Sequence, residues 1–318
     1  MPKVSVIIAT RNRCSLLSRA VESARNASSQ VEIVVVDDAS EDETPEVCKA
    51  LSEIQYIRLR RRLGVGAARN VGLIASTSSY ISFLDDDDVR LPGSLDAQVL
   101  LLETQREAGM VYGKAFYGND HGHTKGGFYP ELCKEGDVFW DLLRWNFIPC
   151  PTVVFRRECL DRVGLLEEEA QGVEDWDLWV RIAERYSVIA VDEPVAIWRQ
   201  STSASGQFTS HEEKLHRYAS HLLRHKWLHL PRANAAGPAQ RRRALRDFAA
   251  QASQQLVWTV ASRLKAGRLL ESARLALAAT RMYPLSVSRK ILSLSTLRSV
   301  RSCLATYRRA ERIRPTGH

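Results

Sequence analysis

The stretch YISFLDDDDV, residues 80–89, opens as an apolar strand and closes on four consecutive aspartates, Asp85 to Asp88. Neighbouring like charges repel, so a chain collects them at the end of a buried segment only where something offsets them. Upstream, the sequence alternates in type. KVSVIIAT (3–10) is a nearly unbroken β-branched run, and SLLSRAVESARNA (15–27) spaces Leu16, Leu17, Ala20, Val21 and Ala24 at helical intervals. VEIVVVDD (31–38) reads as a second buried strand. TPEVCKALSE (44–53) reads as a helix with Thr44 as N-cap and Pro45 in its first position. IQYIRLR (54–60) is a third strand, AARNVGLIAS (67–76) a helix, and YISFL the fourth strand. The β-α-β-α-β-α-β order predicts an α/β fold with a parallel sheet covered on both faces.

In such sheets ligands gather beyond the carboxyl ends of the strands. Three strands here end in polar clusters, Thr10 to Arg13, Asp37 to Ser40 and Asp85 to Asp88, and a parallel sheet brings them to one edge. A single Asp in such a place is an ordinary turn residue. Two strand ends that each carry Asp-Asp or more argue for a binding crevice. Adjacent carboxylates persist together when a divalent cation neutralises them, and hard ions such as Mg2+ or Mn2+ prefer oxygen ligands. Residues i and i+2 of an extended or turning segment point the same way, so Asp85 and Asp87 can approach one metal ion. Ions of this kind bind through one or two carboxylates plus the phosphates of a substrate, so the implied ligand is a nucleoside diphosphate.

Two further stretches carry chemistry. GVGAARN (64–70) imitates the dinucleotide fingerprint G-x-G-x-x-G, which would suggest a nicotinamide enzyme. Arg69 stands where the third glycine should allow close helix packing, and the match follows the third strand rather than the first. Gly64 and Gly66 therefore read as a tight turn that sets Arg69 and Asn70 at a helix start near the phosphates. EDWDLW (174–179) places Glu174 and Asp175 ahead of an aromatic-rich helix, where a fixed carboxylate could abstract a proton. Ordinary helix-start acids would look the same.

The remaining composition bounds the answer. At 318 residues and 45% hydrophobic content the chain can form one large domain with an appendage or two modest domains, and no apolar run reaches the roughly 20 residues needed to cross a bilayer. The opening, MPKVSVIIATRNR, enters a strand without a cleavable leader pattern, so a cytoplasmic location is expected. Six cysteines without C-x-x-C or zinc spacing read as free thiols, Cys14 as a packed thiol rather than a nucleophile, and His121 and His123 as loop histidines rather than a metal pair.

Charge is split along the chain. Residues 207–318 hold 22 Lys and Arg against 5 Asp and Glu, a balance of +17, whereas residues 1–206 hold 23 against 32, a balance of −9. SVIAVDEPVAIWRQ (187–200) reads as a strand pair and STSASG (201–206) as a hinge. Beyond it the chain is helical and basic, with a linker at residues 231–239, a helical pair turning at Gly267 and an amphipathic segment over 286–314. Such a region suits an anionic membrane surface. Its Lys and Arg density also fits nucleic acid, but it carries no recognisable nucleic-acid-binding motif, so that partner is not expected.

Taken in order, VSVIIATRNR (4–13), EIVVVDDASEDET (32–44), GVGAARNVGL (64–73), YISFLDDDDVRLPGSL (80–95) and VEDWDLWVRIA (173–183) resemble the motifs of the inverting glycosyltransferases of family 2. The resemblance covers residues 3–206. It implies a GT-A type, mostly parallel sheet with flanking helices over residues 1–206, plus a C-terminal helical appendage over 207–318. It implies a metal-dependent, inverting, non-processive transfer of one sugar from a nucleotide-sugar donor, UDP-sugar favoured, to a hydroxyl of a glycan or lipid-linked acceptor. In that scheme Asp175 is the general base and Glu174 stands beside it to position the acceptor or the helix. Thr10, Asn12, Arg13, Asp38, Arg69, Asp85 and Asp86 contact the nucleotide-sugar, Asp38 through the base, while Asp87 and Asp85 hold Mn2+ or Mg2+.

The expected partners are the donor, the acceptor and, through the basic helices, the inner face of a membrane, in a cell-envelope polysaccharide pathway. The alternative is a non-catalytic sugar-nucleotide-binding protein whose basic tail binds nucleic acid or membrane. Two departures from the family pattern stand out. WRQS places Ser201 where relatives often carry a His, and DLLRW places Asp141 where the processive Q-x-x-R-W motif needs Gln. Acceptor specificity is expected within residues 112–172, where the family pattern is loosest.

Overall fold

A computed structural model of the chain describes residues 2–200 and 212–291. The chain divides into two compact units, Met1–Leu142 with Asn146–Ser210, and Leu143–Trp145 with His211–His318. The expected boundary at 206 and 207, the hinge 201–206, Ser201, Cys303 and the segment beyond residue 291 lie outside the described residues.

The first unit follows the expected alternation: β1 (Val4–Thr10), α1 (Cys14–Ala27), β2 (Val31–Asp37), α2 (Thr44–Ala50), β3 (Gln55–Arg58), α3 (Val65–Ala75) and β4 (Tyr80–Phe83). It continues through β5 (Val89–Arg90), α4 (Ser94–Thr104), β6 (Ala108–Gly118), β7 (Thr124–Tyr129), α5 (Phe139–Leu142), β8 (Val154–Arg156), α6 (Cys159–Val163), α7 (Glu174–Arg185) and β9 (Ser187–Arg199). Among the described residues one nine-stranded sheet runs in the order β3-β2-β1-β4-β8-β6-β9-β5, with β7 paired to β6. The pairs β1–β2, β1–β4, β2–β3 and β6–β9 are parallel.

Strand β1 shows why the sheet is sandwiched. Its Val4, Val6 and Ile8 join Leu17, Val21 and Ala24 of α1 in one core cluster, and Ile7 faces the other way towards α3. A Cβ on Gly72 of α3 would lie 2.4 Å from Ile7 Cγ2 and 3.3 Å from Val36 Cγ2. The glycine thus allows helix and sheet to approach closely. The parallel register sets Thr10 beside Asp37 and Ile7 beside Phe83, so the loops after β1, β2 and β4 emerge together.

The structure departs from the local sequence pattern in three places. Thr44 is the first residue of α2 rather than its cap, which is Glu43 without a capping side chain; just ahead of it Asp42 Oδ1 accepts from Thr44 N–H at 3.0 Å, while Oδ2 accepts from Cys14 N–H at 3.2 Å. Residues 187–199 are one long strand rather than two, because register shifts against β6 at Gly113 to Ala115 absorb the Asp192-Glu193-Pro194 break as a bulge. The stretch 231–239 is helical rather than a linker.

In the second unit, α8 (Glu212–His225), α9 (Pro231–Ala235), α10 (Gly237–Lys265), α11 (Leu269–Met282) and α12 (Pro284–Ile291) enclose a core that includes Leu223, Trp227, Phe248, Leu256 and Leu275. Pro231 and Pro238 sit in the first turns of α9 and α10, where a missing N–H has no intrahelical partner to lose, so they start helices instead of breaking them. Gly267, at φ 74°, makes the expected turn between α10 and α11.

Candidate active site

The loops after β1 and β2 are laced by their own backbone. Asn12 (φ 52°) and Ala39 (φ 56°) adopt left-handed conformations. Asn12 N–H donates to Ser40 Oγ at 3.0 Å, and Asn12 Oδ1 accepts from Glu41 N–H at 2.7 Å. Asn12 is therefore a brace between the loops, a role its tolerance of positive φ suits. Asp37 is buried and accepts from Ser40 N–H at 2.7 Å and the Tyr56 hydroxyl at 2.9 Å. Asp38 accepts from Leu63 N–H at 2.6 Å and Gly64 N–H at 2.9 Å, which holds the turn into α3. Each Asp38 oxygen keeps a second lone pair, so contact with a base would add to these bonds.

The aspartate run folds into a tight turn, with Asp88 N–H donating to the Asp85 carbonyl at 3.1 Å. Asp86, expected among the donor contacts, turns inward instead. Its Oδ2 accepts from Thr10 Oγ1 at 2.8 Å and its Oδ1 from Arg13 Nη1 at 2.7 Å, leaving 3% exposure. Thr10, Arg13 and Asp86 together hold the β1 loop to the β4 loop. Arg13 also reaches Asp87 Oδ2 at 3.1 Å.

Carboxylate oxygens of Asp85, Asp87 and Asp88 lie within 4.8 Å of one another. The expected pair, Asp85 and Asp87, is thus brought together, and Asp88 joins it because the turn brings residues i and i+3 close. Asp88 Oδ1 accepts from Arg199 N–H at 2.8 Å, while its buried Oδ2 accepts no hydrogen bond from the described residues. An orphaned buried carboxylate oxygen in an all-oxygen cluster fits a hard divalent cation, which Asp85, Asp87 and Asp88 would hold. Electrostatics agree. Burial pushes Asp86 up to about 6; burial and then the charge of Asp85 push Asp87 up; burial and then Asp87 push Asp88 well up.

Arg69 links this cluster to α7. Its Nη2 donates to Asp85 Oδ1 at 2.6 Å, its Nη1 donates to Glu174 Oε1 at 2.9 Å, and its guanidinium lies 5.2 Å from the Phe83 ring centroid. Glu174 is buried and accepts a second bond from Gly172 N–H at 2.7 Å. Asp175 is half-buried in the first turn of α7 and accepts from Trp176 N–H at 2.6 Å. Burial first, then the charge of Glu174, pushes Asp175 up to about 7, the range of an effective base at neutral pH. Further along α7, Arg181 donates to Asp177 and to the Val163 and Leu165 carbonyls, a structural tie to α6.

Asn70 clamps the chain at Leu166 and Glu168 rather than facing the phosphates, and a Cβ on Gly66 would lie 3.3 Å from Glu168 Cα, so the glycine pattern serves packing. His121 and His123 are exposed and join no metal cluster among the described residues. The Cys14 thiol is raised, first by its hydrogen bond to Asp42, consistent with an unreactive group. One residue the sequence did not point to, Arg199, donates through Nε and Nη2 to Asp87 Oδ2 at 3.1 and 2.8 Å and through Nη1 to Asp120 Oδ1 at 3.2 Å.

The profile of glycosyl transferase family 2 matches residues 5–164. The chain belongs to this family. A curated member, the GalNAc(5)-diNAcBac-PP-undecaprenol beta-1,3-glucosyltransferase of Campylobacter jejuni subsp. jejuni serotype O:2, is 30% identical over 194 residues, 59% of this chain and 62% of the relative. Across curated relatives the chain spans from 26% to 95% of their length.

Two solved family-like structures share the fold. S. aureus TarS 1–349 in complex with UDP-GlcNAc aligns with a TM-score of 0.61 at 16% identity, covering 97% of this chain and 92% of that one. The mannosyltransferase PcManGT of Pyrobaculum calidifontis, in complex with GDP-Man and Mn2+, aligns with a TM-score of 0.57 at 19% identity, covering 99% and 81%. The GT-A architecture expected from the motifs is therefore the observed one, and family membership removes the nicotinamide reading of the glycine pattern.

Proposed function

We propose that the protein is a metal-dependent, inverting glycosyltransferase that moves one sugar from a nucleotide-sugar, UDP-sugar favoured, to a hydroxyl of a glycan or lipid-linked acceptor. The observation that carries the reading is the Asp85, Asp87 and Asp88 cluster, with its orphaned Asp88 oxygen, joined through Arg69 to the helix start that bears Asp175. A divalent ion bound there would offset the charge of the donor diphosphate as it leaves. Asp175 takes the proton of the acceptor hydroxyl, whose oxygen attacks the anomeric carbon while the bond to the diphosphate oxygen breaks on the opposite face. Glu174, locked by Arg69 and Gly172, fixes the helix start so that Asp175 keeps its direction. The UDP preference and the lipid-linked acceptor draw support from the UDP-GlcNAc complex of TarS and the undecaprenol-linked substrate in the Campylobacter name.

Thermal denaturation with UDP, GDP, dTDP and CDP, each with Mn2+ and with EDTA, tests the reading. One diphosphate is expected to stabilise the protein only with metal, by about 2.7 kcal/mol at a hundredfold excess over Kd. The metal effect is expected to be larger at pH 7.5 than at pH 5.5. The raised carboxyls of Asp87 and Asp88 hold protons in the folded protein at pH values where the unfolded chain has lost them, so metal-free stability falls as pH rises above the ordinary carboxylate range, and a cation bound there would remove that penalty. No metal-dependent shift with any diphosphate would overturn the donor site.

We also infer a peripheral membrane contact through the second unit. No helix among the described residues is long and apolar enough to cross a membrane. The unit instead exposes Trp258, Leu270, Leu277 and Leu285 on helices rich in arginine, a combination suited to an anionic interface. Replacing Trp258, Leu270 and Leu285 with Ser is expected to abolish co-sedimentation with phosphatidylserine-containing vesicles, and undiminished sedimentation would sink this role.

A further inference from the structure

Asp87 Oδ2 is shared by two guanidinium groups, Arg13 at 3.1 Å and Arg199 at 3.1 and 2.8 Å. This is the carboxylate expected to ligate the cation most directly. A divalent ion seated among Asp85, Asp87 and Asp88 would lie within a few ångströms of both guanidiniums, with like charges meeting on one oxygen in a mostly buried site. The two arginines are not equally placed to yield. Arg13 keeps the buried Asp86, at 2.7 Å, if it leaves Asp87. The other side-chain carboxylate of Arg199 is Asp120, whose side chain is 62% exposed and whose pull is weakened by water. Arg199 closes β9, and its N–H stays fixed on Asp88 Oδ1, so its side chain can swing without moving the strand.

Resting on the donor reading above, we propose that Arg199 is the diphosphate-binding residue of this site: its guanidinium passes from Asp87 to the donor's diphosphate when the cation enters the aspartate cluster. Cation and diphosphate bring opposite charges, so the arginine exchanges one anionic partner for another, and its planar fork matches phosphate oxygens as well as carboxylate. Without metal, the same side chain balances Asp87. One residue thus has opposite effects on the two ligands. It competes with the cation for Asp87 and supports the nucleotide that follows.

Isothermal titration of the full chain separates these effects. Mn2+ is titrated alone, and UDP or GDP is titrated at saturating Mn2+, into wild type, Arg199→Gln and Arg199→Lys. Arg199→Gln is expected to bind Mn2+ alone more tightly than wild type, and to bind the diphosphate about tenfold or more weakly, as loss of a charge-assisted pair implies. Arg199→Lys, which keeps the charge and is the milder change for folding, is expected to recover part of the diphosphate affinity.

If Arg199→Gln weakens both ligands, Arg199 merely holds the cluster together and the proposal fails. Unchanged diphosphate affinity in that variant overturns it as well, as does a Lys variant that binds the diphosphate no better than Gln. Wild type that binds Mn2+ but neither diphosphate would instead remove the donor reading and, with it, the role assigned to Arg199.

Discussion

Asp175→Asn is expected to bind the donor nucleotide as the wild type does and to lose sugar transfer by about 10² to 10⁴-fold, the contribution of a positioned general base. The substitution keeps the size and the bond from Trp176 N–H, and it removes only the ability to take a proton. The pH profile provides a second readout. A base held up at about 7 must ionise before it acts, so wild-type kcat/KM is expected to rise tenfold per pH unit below about 7 and to level off above it. An ordinary Asp would put that limb near 4. Because burial is the first cause and the Glu174 charge the second, Glu174→Gln is expected to move the limb downwards in pH. Near-normal turnover by Asp175→Asn, or a limb near pH 4, would remove Asp175 as the base.

The first half of the sheet was legible because its signals are local. A β-branched run needs no partner to be recognised, and the rule that strand ends share an edge turned three polar clusters into one site. The residues that were missed depend on tertiary geometry. Asp88 joins the cluster only because the run turns back on itself, which the i, i+2 spacing of an extended segment does not reveal. Arg199 reaches Asp87 across 112 positions from the far end of a strand that pairs with β6; the WRQS segment draws attention to Ser201, and only the tertiary contact shows that its arginine faces the aspartate turn. Asp86 looked like its neighbours in the sequence, yet Thr10 and Arg13 draw it inward. The stretch 231–239 suggests a linker because its prolines, Pro231 and Pro238, are ambiguous between ending one helix and starting the next. The neighbouring Ala233, which is fully buried, shows which reading packing selects.

Arg69→Gln is expected to cost stability as well as activity, and the two losses should part company in a double variant. Arg69 is 3% exposed and serves Glu174, itself 4% exposed, together with Asp85. Removing the arginine leaves the Glu174 carboxylate buried, with the Gly172 amide but without its cation, and breaking a buried pair in this way costs about 3–5 kcal/mol. Over the first unit, a loss of that size should lower the denaturation midpoint well beyond experimental scatter. Adding Glu174→Gln removes the stranded charge and replaces it with a neutral group of similar shape, so Arg69→Gln/Glu174→Gln should regain much of the lost stability. Activity should not follow. The double variant still lacks the tie between the aspartate turn and the start of α7, and Asp85 and Asp175 would no longer be held in register across the site. Measured by urea denaturation and by donor turnover on the same samples, a double variant no more stable than Arg69→Gln would show that Glu174 is not the charge Arg69 neutralises. Recovery of turnover along with stability would show that the tie has no part in placing the base.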